Sequence, residues 1–102
     1  MKERKVKAKE SEIQAQIKQY LQYSGWLVVK IHQSLGSYRG IADLYCLKDG
    51  EHIWIEVKTP EGKQSEAQKQ FERDITSRGG KYMIARCLDD VLHLGKQQKL
   101  SV

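Results

Sequence analysis

Between Ile41 and Lys58, apolar and polar positions alternate on both sides of an Asp49-Gly50 pair, and this alternation predicts a β-hairpin. An Asp-Gly pair between two β-rich runs favours a two-residue turn. With Asp49 and Gly50 as the loop, Lys48 faces Glu51 and opposed positions keep a constant sum, which sets Asp43 opposite Glu56. Side chains point to opposite faces with period two. One face therefore carries Ala42, Leu44, Cys46, Ile53, Ile55 and Val57, all apolar. The other carries Asp43, Tyr45, Leu47, His52, Trp54, Glu56 and Lys58, apolar near the turn and charged at the open end. A slip of one residue would bury the charges and expose the isoleucines, so the register is well determined.

Helical spacing appears on either side of the strands. Ile13, Ile17, Tyr20 and Leu21 make a stripe from about Ser11 to Ser24, with Gly25 as the stop. Trp26 to His32 reads as a strand, and Gln33 to Gly40, rich in Gly and Ser, as a loop leading into the hairpin. Pro60 and Gly62 make a turn. A second helix is expected from about Glu66 to Arg78, with Phe71 and Ile75 inward and Gly79-Gly80 at its end. Lys81 to Arg86 is a further strand, and Asp89 to Leu94 a short helix or an edge strand. The order αβββαβ gives an α/β fold, a mixed β-sheet flanked by helices. The crossover helix should join parallel strands.

Composition adds limits. The 102 residues form a single domain, 1–102, with one modest core. Eighteen basic against 13 acidic residues leave a net charge of +5, which favours a polyanionic partner. Lys2, Arg4, Lys5, Lys7 and Lys9 make residues 1–9 a basic stretch, expected to be flexible; a solvated end and a phosphate-contacting arm are equally compatible with it. No apolar run reaches the ~20 residues of a membrane span, and no signal-peptide core is present. Cys46 and Cys87 have the spacing of neither a zinc site nor a disulfide framework, so a cytoplasmic setting is expected.

The opposed acids carry the chemistry. Directly opposed residues hold their Cβ atoms roughly 4.5–5.5 Å apart, and like charges so placed are destabilising. A divalent cation would offset that cost. Lys58 shares the face of Glu56 and adds an ammonium. A surface ion pair is the plain alternative, but two carboxylates with one lysine make a poor stabilising arrangement.

Gly40-x-x-Asp43, then Glu56-Val57-Lys58, then Ser65-x-x-Gln68 at a helix start resembles the virus-type replication-repair nuclease (VRR-NUC) domain of the PD-(D/E)xK nuclease superfamily. The likeness runs from the first helix to the strand after Gly79-Gly80. It implies a restriction-endonuclease-like core in which Asp43, Glu56 and the backbone carbonyl of Val57 hold Mg²⁺ or Mn²⁺, which prefer hard oxygen ligands. It implies that Lys58 orients or deprotonates a water or stabilises the transition state, roles the sequence leaves open. The first helix of this superfamily adds another acidic ligand. At ~100° per residue, Glu10 falls on the side of Ile13, Ile17 and Leu21, with Gln14 on the flank, whereas Glu12 points to solvent. Glu10 and Gln14 are therefore expected at the metal, with Glu12 as the alternative; a plain interaction of Glu10 with the helix dipole is equally compatible.

Ser65-x-x-Gln68 is also a capping box, yet Gln68 shares the inward face with Phe71 and Ile75 and matches the family element, so it joins the catalytic set. Lys30 and Arg39, and more weakly Lys63, are candidate phosphate contacts. His32 and His52 lack metal-ligand spacing and read as surface or packing residues. Tyr45 and Trp54 are expected to pack under the first helix. The resemblance implies a metal-dependent endonuclease for branched DNA, cutting four-way junctions as a homodimer in a phage or bacterial setting. A nuclease for flaps, nicks or single strands, a non-catalytic DNA-binding module and a structural protein are the rivals.

Overall fold

The computed structural model describes residues 8–33 and 37–95. Most of the expected basic arm (Lys2, Arg4, Lys5, Lys7) lies outside these residues. In chain order the elements are α1 (Glu10–Tyr23), β1 (Leu27–Lys30), β2 (Leu44–Lys48), β3 (Glu51–Val57), α2 (Glu66–Thr76), β4 (Tyr82–Ala85) and a 3₁₀ segment, Leu88–Gly95. The sheet has the order β1-β2-β3-β4. Its first two pairings are antiparallel, and β3 with β4 is parallel through the α2 crossover.

The hairpin turn has φ of +52° at Asp49 and +82° at Gly50. Positive φ at both central residues matches the right-handed twist of the flanking strands, which is why Asp-Gly suits this turn. The pairing runs from Lys48 with Glu51 to Leu44 with Ile55, the register expected from the alternation.

The aliphatic face of the hairpin is sealed. Ala42, Leu44, Cys46, Ile55 and Val57 are all fully buried, and Ile13, Ile17 and Leu21 of α1 join Leu44, Cys46 and Ile55 in one cluster. Burying each large aliphatic side chain is worth about 1.5–3 kcal/mol. An isolated helix of this length is marginal, so packing rather than propensity holds α1. Val91 of the 3₁₀ segment completes this core, and the Trp26 indole N–H donates to the Leu94 carbonyl at 2.9 Å. The segment expected as a short helix or edge strand is thus a 3₁₀ turn drawn in by Val91. Trp26 joins the same core, and β1 is shorter than the run Trp26–His32 at both ends.

The opposite face differs from expectation. Tyr45 and Trp54 do not lie under the first helix; their rings pack together with centroids 4.7 Å apart, and Trp54 meets Phe71 of α2 edge-on at 5.2 Å. Tyr38 and Tyr82 flank Phe71 at 5.6 and 6.2 Å. The aliphatic stripe of α1 takes the aliphatic face, which leaves the aromatic one to the second helix.

Candidate functional site

The site lies where β2 and β3 part. Their last paired residues are Leu44 and Ile55, so Asp43 stands one step beyond the ladder. Its carbonyl accepts the Ile31 N–H at 2.8 Å, toward β1. Its carboxylate Oδ2 accepts the Val57 N–H at 2.8 Å, where an undiverged ladder would offer a carbonyl. The carboxylate is thereby fixed at the margin of the sheet, beside Glu56.

Glu56 is the one buried charged residue among those described, 1% exposed. Its Oε2 accepts the Gln68 side-chain N–H at 2.8 Å, and Lys58 Nζ lies 3.7 Å from the same oxygen. Its Oε1 is buried with no hydrogen-bond partner. Burial foremost, then the Asp43 carboxylate, raise the Glu56 pKa to about 8; Glu10 pushes the same way and Lys58 opposes. Asp43 is also raised, by burial, against the Val57 N–H, Lys58 and Lys30. Buried polar atoms without partners are uncommon, and a bound ion is one of the recognised reasons for them. Asp43 and Glu56 together offer hard oxygen donors that could hold a divalent cation.

The third motif is tied to this pair. Ser65 Oγ accepts the Gln68 N–H at 3.1 Å, and Gln68 Oε1 accepts the Ser65 N–H at 2.8 Å. That reciprocal cap starts α2. Because the amide oxygen faces Ser65, the amide nitrogen faces Glu56. Gly40 closes the set. Its φ is +78°, and a Cβ there would fall 2.1 Å from the Ala67 carbonyl oxygen and 2.7 Å from the Gln68 nitrogen. Only glycine lets the loop before Asp43 lie against the first turn of α2.

The sequence model of the family described as archaeal Holliday junction resolvase (hjc) matches residues 1–77. This chain belongs to that resolvase family. A solved structure described as a VRR_NUC domain superposes with a TM-score of 0.73 at 25% identity, covering 83% of this chain and 91% of that one. No curated protein sequence matches the chain. The resolvase-family assignment and the shared fold agree with the VRR-NUC resemblance and the PD-(D/E)xK core expected from the motifs, and they point to a nuclease. Among the described residues no helix is long and apolar enough to cross a membrane.

The other residues expected at the site are placed unevenly. Glu10, exposed at the start of α1, lies close enough for its charge to act on Glu56. Glu12 is turned away, accepting the Lys9 backbone N–H at 2.9 Å. Gln14 is half-buried one turn after Glu10. No three His, Cys, Asp or Glu side chains among the described residues form a group able to hold a metal, so the acidic donors converge as a pair. Lys30 is exposed, and its charge reaches Asp43. Arg39 lines a groove along α2 with Tyr38, Gln70 and Asp74, and Lys63 is exposed in the segment before α2. His52 is exposed and bonded through Nδ1 to the Tyr45 hydroxyl; His32 is exposed beyond β1.

Three features escaped the sequence reading. The approach of Gly40 to α2 is one. A second is a polar layer behind Glu56, where Gln64 donates to Glu72 Oε1 at 3.0 Å and to the Tyr82 hydroxyl at 3.1 Å. Burial first, then the charges of Glu56, Glu72 and Asp43, raise the Tyr82 pKa to about 12 against the Gln64 bond. The third is Arg86, whose guanidinium binds the turn after Lys58. The parallel register of β3 with β4, once known, is the signal that would have brought Tyr82 and Arg86 forward.

Proposed function

We propose that this chain is a Mg²⁺- or Mn²⁺-dependent endodeoxyribonuclease that hydrolyses phosphodiester bonds in branched DNA, four-way junctions above all, as a homodimer. The observation that carries this reading is the buried, partnerless Glu56 Oε1 beside a second carboxylate. Asp43, Glu56 and the Val57 backbone carbonyl are the proposed ligands, with Glu10 and Gln14 at the rim. A bound divalent ion supplies neutralising charge at the scissile phosphate and a more acidic water. Gln68 holds one oxygen of Glu56 and leaves the other free. Lys58 brings its ammonium to the same place, where it can orient the attacking water or balance charge on the phosphate. A water oxygen gives up a proton and bonds to phosphorus as the phosphorus–oxygen ester bond breaks, and the departing oxygen takes that bond's electron pair and a proton. Lys30 beside Asp43, then Arg39 and Lys63, are the proposed phosphate contacts.

Support for a homodimer comes from β1. It is an edge strand, and it exposes Leu27 and Val29 at 58% and 40%. Two copies about a two-fold axis would offer two sites to opposed DNA strands.

The test is cleavage of labelled four-way junction, flap and linear duplex in Mg²⁺, Mn²⁺ or EDTA, alongside gel filtration. Metal-dependent cutting of the junction in preference to the others is the expected result. Preference for flaps or single strands would replace the substrate, and binding without cutting would make the chain a DNA-binding module. A strict monomer would remove paired incision.

A further inference from the structure

Arg86 follows β4 directly, and the parallel register that pairs Val57 with Ala85 brings it alongside Lys58. Its Nη1 donates to the Gly62 carbonyl at 2.7 Å and the Thr59 carbonyl at 2.8 Å, with the Pro60 carbonyl farther off at 3.3 Å. The same turn is closed by the Gly62 N–H donating to the Thr59 carbonyl at 3.0 Å. Arg86 is itself braced, because its backbone N–H donates to Asp90 Oδ2 at 2.8 Å. The turn it gathers lies close to the stem of Lys58: a Cβ on Gly62 would fall 3.4 Å from Lys58 Cδ. The Lys58 side chain is 13% exposed, low for a residue whose long stem ordinarily follows its ammonium into water.

Holding such a flexible side chain in one place opposes its rotamer entropy. The Glu56 contact, at 3.7 Å, is too long for a hydrogen bond and cannot do this alone. We infer that Arg86 is a positioning residue for the proposed strand scission: it folds the Thr59–Gly62 turn over the Lys58 stem and so fixes the ammonium beside Glu56. Its guanidinium Nη1 is turned to carbonyl oxygens of the turn, so it acts through Lys58 and not on the phosphate. The inference rests on the role proposed for Lys58.

The experiment compares wild type, Arg86→Ala, Arg86→Lys, Lys58→Ala and the double variant Arg86→Ala/Lys58→Ala. Junction cleavage is measured in Mg²⁺, and junction binding in EDTA. Displacing a reacting group by an ångström costs up to about a hundredfold in rate, and Arg86→Ala should lose roughly that order while binding in EDTA is unchanged. In the Lys58→Ala background the same change should cost nothing more, because residues acting as one unit are not additive. Added guanidinium should restore part of the rate to Arg86→Ala but none to the double variant. An equal loss in both backgrounds, or a parallel loss of binding in EDTA, would overturn the inference. Should wild type fail to cut, or Lys58→Ala cut normally, the functional reading is what fails. The clamp is then decided by nuclear Overhauser contacts between Gly62 Hα and Lys58 Hδ. Their loss in Arg86→Ala with core signals unmoved supports it, and their persistence refutes it. If Arg86→Ala does not fold, Arg86→Lys, which keeps the charge but not the planar fork, undergoes the same measurements.

Discussion

Two glutamates of strand β3 stand at opposite ends of one hairpin and lead opposite lives. Glu51, beside the turn, is bonded to Lys81 at 2.9 Å with both side chains about three-fifths in water (61% and 60%). That bond, and the lysine charge, lower its pKa. Glu56, at the open end, is 1% exposed, and burial together with Asp43 raises its pKa to about 8. Residue type and strand are shared, so the difference is environment. At the turn end the fold supplies a cation and water; at the open end it supplies an amide, a lysine at 3.7 Å and a second carboxylate. A carboxyl that the fold buries but leaves short of partners is a candidate functional site.

Replacing Asp43 or Glu56 by Ala should break the open end most severely. Loss of several kcal/mol of transition-state stabilisation corresponds to about a thousandfold or more in cleavage rate. Single-turnover assays on a junction substrate would register it, and a residual rate near wild type would remove these residues from the chemistry.

Gly40→Ala should come next. The added methyl meets the Ala67 carbonyl at 2.1 Å in a left-handed backbone, so no small shift relieves it. Overpacking of this kind costs about 1–3 kcal/mol, and each kcal/mol lowers Tm by roughly 4–8 °C in a domain of this size. Thermal denaturation checks this, and cleavage should fall with it because the loop before Asp43 is displaced.

The pH dependence of the metal-free protein sharpens the contrast further. The folded-state pKa of Glu56 lies above its unfolded value near 4.5. Its contribution to stability is therefore complete below pH 4.5 and is lost as pH rises through about 8. Tm in EDTA should decline over that window, and Glu56→Gln should flatten the decline. Mg²⁺ added to wild type at the alkaline end should recover Tm, since a ligand for the native state stabilises it. Glu51→Gln is the smallest case. An exposed pair contributes little, so no resolvable change in Tm or cleavage rate is expected.

Much of this contrast was legible in the chain. Period-two alternation around Asp49-Gly50 fixed both the register and the two faces, because a one-residue slip would invert them. The helical angle separated Glu10, whose charge reaches Glu56, from Glu12, which caps Lys9. Other features could not be read. An amphipathic stripe states that a helix is buried on one side but not which sheet face receives it, hence the reversal at Tyr45 and Trp54. The parting of the strands at Asp43 and the clamp by Arg86 arise from contacts between segments distant in sequence, which local pattern does not encode.

The Gln68 amide has a single oxygen and a single nitrogen, and they reach in opposite directions, to the Ser65 backbone and to Glu56. Stiffness at the acidic end is thus transmitted to the first turn of α2. Any ion that draws Glu56 toward itself should be felt at the Ser65 amide, making the hydrogen-exchange rate there a built-in gauge of occupancy that needs no DNA and no turnover.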